Sequence, residues 1–180
     1  MKLTLAALFL AGSALAQTQA PPTVAQLFEG PIRGAEREVI PLVEAMPAEK
    51  MNFAPTQGEF KGVRTFAQQA KHLAAVVYIV AAAAKAEKVP VDTGGEDGPA
   101  NVKSKDEIVK FLKDAFAYAR AAAQTLTAEN LTQMVPSPFG QGQTARGAAI
   151  QIAAWHSFDH YGQMVVYARM NGIVPPASRQ

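Results

Sequence analysis

The sequence predicts an all-α fold: a four-helix bundle with a long crossover between helices 2 and 3. Apolar residues recur at three- and four-residue spacing over four long stretches, as one buried helix face requires. Three of those stretches open with Thr or Ser followed three places on by Gln or Glu, the reciprocal pairing of a capping box. No strand-like alternation and no internal repeat competes with this pattern. At 180 residues, 49% hydrophobic and 18% charged, the chain suffices for one domain with a sizeable core.

Helix 1 is expected over Thr23 to Met46. Thr23 and Gln26 form the box, and Ile32, Ala35, Val39, Leu42, Val43 and Met46 mark the buried face. Pro31 suits a first helical turn and offers a second start. Pro41 removes a backbone donor inside the helix, where a kink is expected. Pro47 to Gly62 reads as a loop, but Met51, Phe53, Pro55 and Phe60 make it apolar enough to pack over a bundle end. Thr65 and Gln68 open helix 2, which runs to about Glu87 and whose alanines allow close approach of neighbours. Val89 to Lys103 contains Pro90, Gly94, Gly95, Gly98 and Pro99 and forms the crossover. Ser104 and Glu107 open helix 3, with Ile108, Phe111, Leu112, Ala115, Phe116 and Ala119 leading to about Gln124. Thr127 to Met134 is expected to add a short helical turn. Helix 4 is read over Thr144 to Asn171, with Gly172 in the C′ position and Pro175 and Pro176 beyond.

The chain begins as exported chains do. Lys2 precedes the apolar run Leu3 to Leu10, and Ala14-Leu15-Ala16 supplies the small residues of a cleavage site. Residues 1–16 are therefore read as a signal peptide, cleaved after Ala16, and residues 17–180 as the mature domain, periplasmic or secreted. The apolar run is shorter than the roughly 20 residues a membrane span takes, so no stable membrane insertion is expected after cleavage. With no cysteine in the chain, disulfides, thiol nucleophiles and zinc–thiolate sites are excluded. The net charge of +2, with Lys and Arg scattered among Asp and Glu, points to no nucleic-acid partner. Any chemistry must use nitrogen and oxygen.

The three histidines are the residues to consider. His156 and His160 lie four apart, so a helix stacks them on one face, and such a pair fixes two coordination positions on one cation. His72 lies deep inside helix 2, on a side shared with Thr65, Gln68, Gln69, Val76 and Ile79, which a bundle can turn toward the pair. Three ligands leave a position open for water or substrate. The competing reading is a hydrogen-bonded surface or core pair with an unrelated third histidine. Asp159, about 60° around the helix from His156, is open to three roles: a further ligand, an acceptor for an imidazole N–H with a weak general-base role, or a plain surface carboxylate. Ser157 stands where the glutamate of an HExxH zinc-protease helix would be, so that peptidase chemistry lacks its base. Tyr78, Tyr161, Tyr167 and Arg169 are candidates either for polar pocket groups or for the bundle surface.

The segment VRTFAQQAKHLA around His72, together with HSFDHYGQMVVYARMNGIVPP from His156 to Pro176, resembles the DinB-like superfamily of metal-dependent enzymes over nearly all of the mature chain. The resemblance implies a four-helix bundle with a long crossover after helix 2 and a homodimer. It also implies a divalent transition metal, nickel or zinc, on a triad to which His72, His156 and His160 correspond. It implies no single reaction. Characterised relatives include thiol-dependent transferases and a maleylpyruvate isomerase that use small cytosolic thiols, whereas this sequence begins with an export signal. The reading is therefore an exported metalloprotein, a metal-dependent hydrolase or transferase of unknown small-molecule substrate. The alternative is a non-catalytic metal- or ligand-binding bundle with a protective role.

Overall fold

A computed structural model of the chain describes residues 20–179, so the signal peptide read over residues 1–16 lies outside the described residues. Four helices form the body: α1 (Val24–Ala45), α2 (Phe66–Lys85), α3 (Lys105–Gln124) and α4 (Arg146–Met170). All three capping boxes are formed, Thr23 with Gln26, Thr65 with Gln68 and Ser104 with Glu107. α1 continues as one helix through Pro31 and Pro41.

Side-chain pairs fix the order and direction of the helices. Glu44 meets Lys113 and Glu36 meets Arg120, so α1 and α3 are antiparallel. Tyr161 bonds Glu38 and Phe158 lies beside Gly34, so α1 and α4 run the same way. Tyr78 stacks on Phe111 while Lys85 lies over the Tyr118 ring, so α2 and α3 are parallel. α2 and α4 are antiparallel, with Gln69 bonded to Gln163 and Arg146 to the Ala84 carbonyl. Around the bundle the helices follow the order α1, α3, α2, α4, with α1 opposite α2.

Two parallel neighbours cannot be joined by a tight turn. Residues 86–104 must return along the bundle, and their reach of about 60 Å exceeds the roughly 30 Å length of α2. This return path is the predicted crossover, and it brings Glu96 to His72 in the N-terminal half of α2.

α2 has 15 of its 20 residues buried, among them seven alanines, because α3, α4 and the crossover cover it on most sides. The core gathers Phe66, Leu73, Val77, Phe116, Leu112, Ile150 and Met164 from three helices. The connection before α2 contributes Met51 and Pro55 as buried residues and Phe53 as a half-buried one, whereas Phe60 is exposed. The Phe53 and Met51 carbonyls accept from the free N–H groups of Phe66 and Ala67, so the loop also caps α2.

Two local expectations are corrected. Thr127 to Met134 adds no helix; it is a hydrogen-bonded turn that enters a short strand, β1 (Met134–Pro136), paired antiparallel with β2 (Gln143–Ala145). Thr144 belongs to β2, and α4 begins at Arg146 with no side-chain cap. Its first N–H groups, from Arg146 and Gly147, go instead to the carbonyls of Gln133 and Leu131, partners distant in sequence that no local signal announces. The other end of α4 is as expected. Ile173 N–H reaches Ala168 O and Gly172 N–H reaches Arg169 O, a Schellman closure with Gly172 at φ +77°. Among the described residues no helix is long and apolar enough to cross a membrane.

Candidate metal centre

The antiparallel packing of α2 on α4 sets His72 opposite the His156/His160 pair. Ring centroids are 5.1 Å apart for His72 and His156, 4.7 Å for His72 and His160, and 4.5 Å for His156 and His160. One nitrogen from each ring lies within 4.8 Å of the others. Zinc–imidazole bonds are roughly 2 Å long, so three nitrogens gathered this closely are placed to share one ion.

The hydrogen bonds fix which nitrogens are available. His72 Nδ1 lies 2.5 Å from the Glu96 carbonyl, which can only accept, so Nδ1 carries the proton and Nε2 keeps its lone pair. His160 Nδ1 donates in the same way to Gln69 Oε1. Gln69 is held in turn, its Nε2 donating to Gln163 Oε1 at 2.9 Å, and Gln163 Nε2 donates to Asp159 Oδ2 at 3.2 Å. His156 Nε2 is buried and has no hydrogen-bond partner among the described residues.

Burial holds all three imidazoles below the usual histidine value. His156 and His160 fall to about 4, burial acting first and the charge of neighbouring rings next. For His72 the lowering by burial is partly offset by the Glu96 hydrogen bond. Near neutral pH the rings are therefore uncharged, the form in which imidazole binds a metal.

The buried, unpartnered His156 Nε2 is the test of fit. Such an atom is costly unless something completes it, and the available lone pairs of His72 and His160 can offer it no proton. A cation suits all three, and the donor set of three neutral imidazoles is one that zinc, nickel, copper and iron accept. A cleft of about 750 Å³ opens at His160.

The remaining candidates sit elsewhere. Asp159 is exposed and accepts no imidazole N–H directly: Gln69 and the Glu96 carbonyl take those protons, and the carboxylate lies two amides away from His160. Ser157 is fully buried, its hydroxyl donating to the Ala153 carbonyl at 2.6 Å. Tyr78 stacks in the core, Tyr161 bonds Glu38, Tyr167 packs edge-on to Phe53 and Arg169 bonds Ser178; none lines the cleft. Gln69 and Gln163 are the residues that reasoning from the histidines alone passes over. Each lies three places from a histidine on the same helix, Gln69 before His72 and Gln163 after His160, and that spacing was the available signal.

The sequence profile of the DinB superfamily matches residues 32–164. Among solved structures, a DinB-like protein from Bacillus cereus superposes with a TM-score of 0.66 at 18% identity, over 83% of this chain and 93% of that one. A DinB-like protein from Bacillus subtilis gives 0.62 at 16% identity, over 81% and 92%. A conserved protein from Enterococcus faecalis gives 0.65 at 15%, over 83% and 98%. At these identities the likeness concerns the fold. Comparison with curated proteins finds no match.

Proposed function

The chain belongs to the DinB superfamily, and from that membership and the geometry of the three rings we propose that it is an exported metalloprotein acting as a metal-dependent hydrolase or transferase. His72, His156 and His160 would hold one divalent transition metal, nickel or zinc, through their available nitrogens. Bound there, the metal would supply Lewis acidity, polarising a substrate oxygen or lowering the pKa of water toward about 7, as zinc can. The chain's own part is to orient the ligands. The Glu96 carbonyl fixes the His72 tautomer and Gln69 that of His160, while Asp159, through Gln163, biases the orientation of the Gln69 amide.

The observation that carries this reading is the orphaned His156 Nε2. A specific observation also supports the homodimer. Trp155, Phe158, Val166 and Met170 recur along one side of α4 and are all exposed, 56, 42, 53 and 52% respectively, a stripe that a second copy would cover.

Native mass spectrometry of untagged protein recovered from an exporting host tests the three statements separately. The expected species is a dimer whose subunits begin at Gln17 and carry one metal each. His156→Ala should retain helicity and lose tight metal binding; equal metal content in variant and parent would overturn the assignment. Val166→Glu should yield monomer. Turnover of esters, amides and phosphoesters with and without metal separates an enzyme from a non-catalytic metal-binding bundle.

A further inference from the structure

The cleft at His160 has a charged wall that the metal reading does not use. Arg64, just before the N-cap of α2, and Lys71, beside His72, place two cationic side chains on it against a single carboxylate, Asp97. That carboxylate is engaged, since Asp97 Oδ1 accepts from Arg64 Nη2 at 2.9 Å. Lys71 takes part in no ion pair among the described residues. Two positive groups and one negative one leave a net positive wall, before any cation is counted.

Lys71 is also held in place. Its stem lies under the crossover at Gly98, where an added Cβ would fall 2.7 Å from Lys71 Cβ and 2.9 Å from Cε. Only glycine permits that approach, and at φ +84° the backbone favours glycine as well. The half-buried lysine is thus clamped at the cleft instead of extending freely into solvent. Gln68 adds a donor: its Oε1 accepts from Thr65 N–H at 2.8 Å, leaving the amide NH₂ for a ligand. Gln69 and Gln163, by contrast, are committed to holding His160.

A volume of about 750 Å³ suits a small molecule, and most small-molecule sites are largely apolar. Here Arg64, Gln68, Lys71 and Asp97 line the wall, and a neutral occupant would leave Lys71 partly desolvated and unpaired. We propose that the cleft binds a small organic anion, its carboxylate or phosphate held by Lys71 and the Arg64–Asp97 pair while the rest of the molecule extends to His160. The inference deepens the metalloenzyme reading and rests on it for what the far end of the ligand meets; the anion contacts stand in the protein without metal.

Isothermal titration calorimetry on the full chain, apo and zinc-loaded, with zinc content measured on the same samples, tests it. The probes are succinate, inorganic phosphate and uncharged succinamide. At least one anion should bind tenfold or more tightly than succinamide, and Lys71→Met should weaken that anion about tenfold, the scale of one lost charge-assisted hydrogen bond, with zinc stoichiometry unchanged. Whichever of succinate and phosphate binds identifies the anionic group. Succinamide binding as well as both anions, no anion binding, or an affinity unchanged in Lys71→Met would overturn the proposal. If Lys71→Met fails to fold, the parent protein still decides, because anion affinity should fall between 50 and 300 mM NaCl and succinamide affinity should not. Zinc bound without anion selectivity sinks this inference alone; anion selectivity without zinc sinks the metal reading alone.

Discussion

Two opposite seams of the bundle handle polarity in contrasting ways. Between α1 and α3, Glu36 meets Arg120, Glu44 meets Lys113 at 2.7 Å, and Lys105 Nζ donates to the Glu44 carbonyl at 2.7 Å. Glu44 and Lys113 lie toward solvent, Glu36 and Arg120 are partly buried, and these groups satisfy one another. Between α2 and α4, around the histidines, the polar groups are rings and amides, and two bonds there leave another atom free: Glu96 O and Gln69 Oε1 take the Nδ1 protons, so the opposite nitrogens keep their lone pairs. One seam closes on itself, as groups that only join helices do. The other ends on His156 Nε2, which nothing among the described residues completes. A polar network with an unpaired end is where a ligand is to be sought.

The contrast breaks most visibly if the amide relay is cut. Gln69→Leu removes the acceptor for His160 Nδ1–H and strands Gln163 while keeping the size of the side chain. Loss of such a partner costs about 10–100-fold in metal affinity. The lone tryptophan reports it, since the Trp155 ring lies 5.9 Å from that of His156 and its fluorescence should be quenched as copper or nickel binds. Gln69→Glu, which keeps an oxygen at that position, should recover most of the affinity. An unchanged quenching titration in Gln69→Leu would reduce the relay to packing.

A smaller effect follows from burying neutral imidazoles. In the apo protein His156 and His160 have folded-state values near 4, below the roughly 6.5 of an unfolded histidine. The unfolded chain then takes up protons that the native state refuses, so stability is complete above about pH 6.5 and is lost as the pH falls toward 4. The melting temperature of metal-free protein should drop by on the order of 10 °C between pH 7 and pH 4.5. His160→Leu should flatten that slope; an equally steep slope would place the acid sensitivity elsewhere.

How much of this was legible in the sequence depends on whether the cause is local. The capping boxes at Thr23, Thr65 and Ser104 and the Gly172 closure involve residues a few places apart, and all form as read. The start of α4 lies at Arg146 and not at Thr144 because its cap comes from the carbonyls of Leu131 and Gln133, and Thr144 pairs with Val135 in the β1–β2 ladder. The proximity of the histidines follows from helix spacing plus one packing assumption, and ring distances of 4.5 to 5.1 Å meet it. The partners of those rings were not readable in the same way. A backbone carbonyl such as that of Glu96 leaves no mark in the sequence, and whether Asp159 or Gln69 faces His160 depends on how α2 is rotated against α4.

The smallest expected change is the one that shows whether the seams are independent. Glu44→Gln removes the ion pair with Lys113, whose side chains are about half exposed at 45% and 53%, and leaves the Lys105 bond intact because its acceptor is backbone. Exposed pairs of this kind contribute about 0.2–1 kcal/mol, which for a chain this long shifts the melting temperature by at most about 4 °C. Metal affinity should not move, because α1/α3 lies across the bundle from α2/α4 and sites without shared partners add independently. If Glu44→Gln changed the Trp155 quenching titration by more than about twofold, the self-satisfied seam would be helping to set the ligand geometry. The line drawn between groups that hold helices together and groups that wait for a ligand would then have to be redrawn through α1.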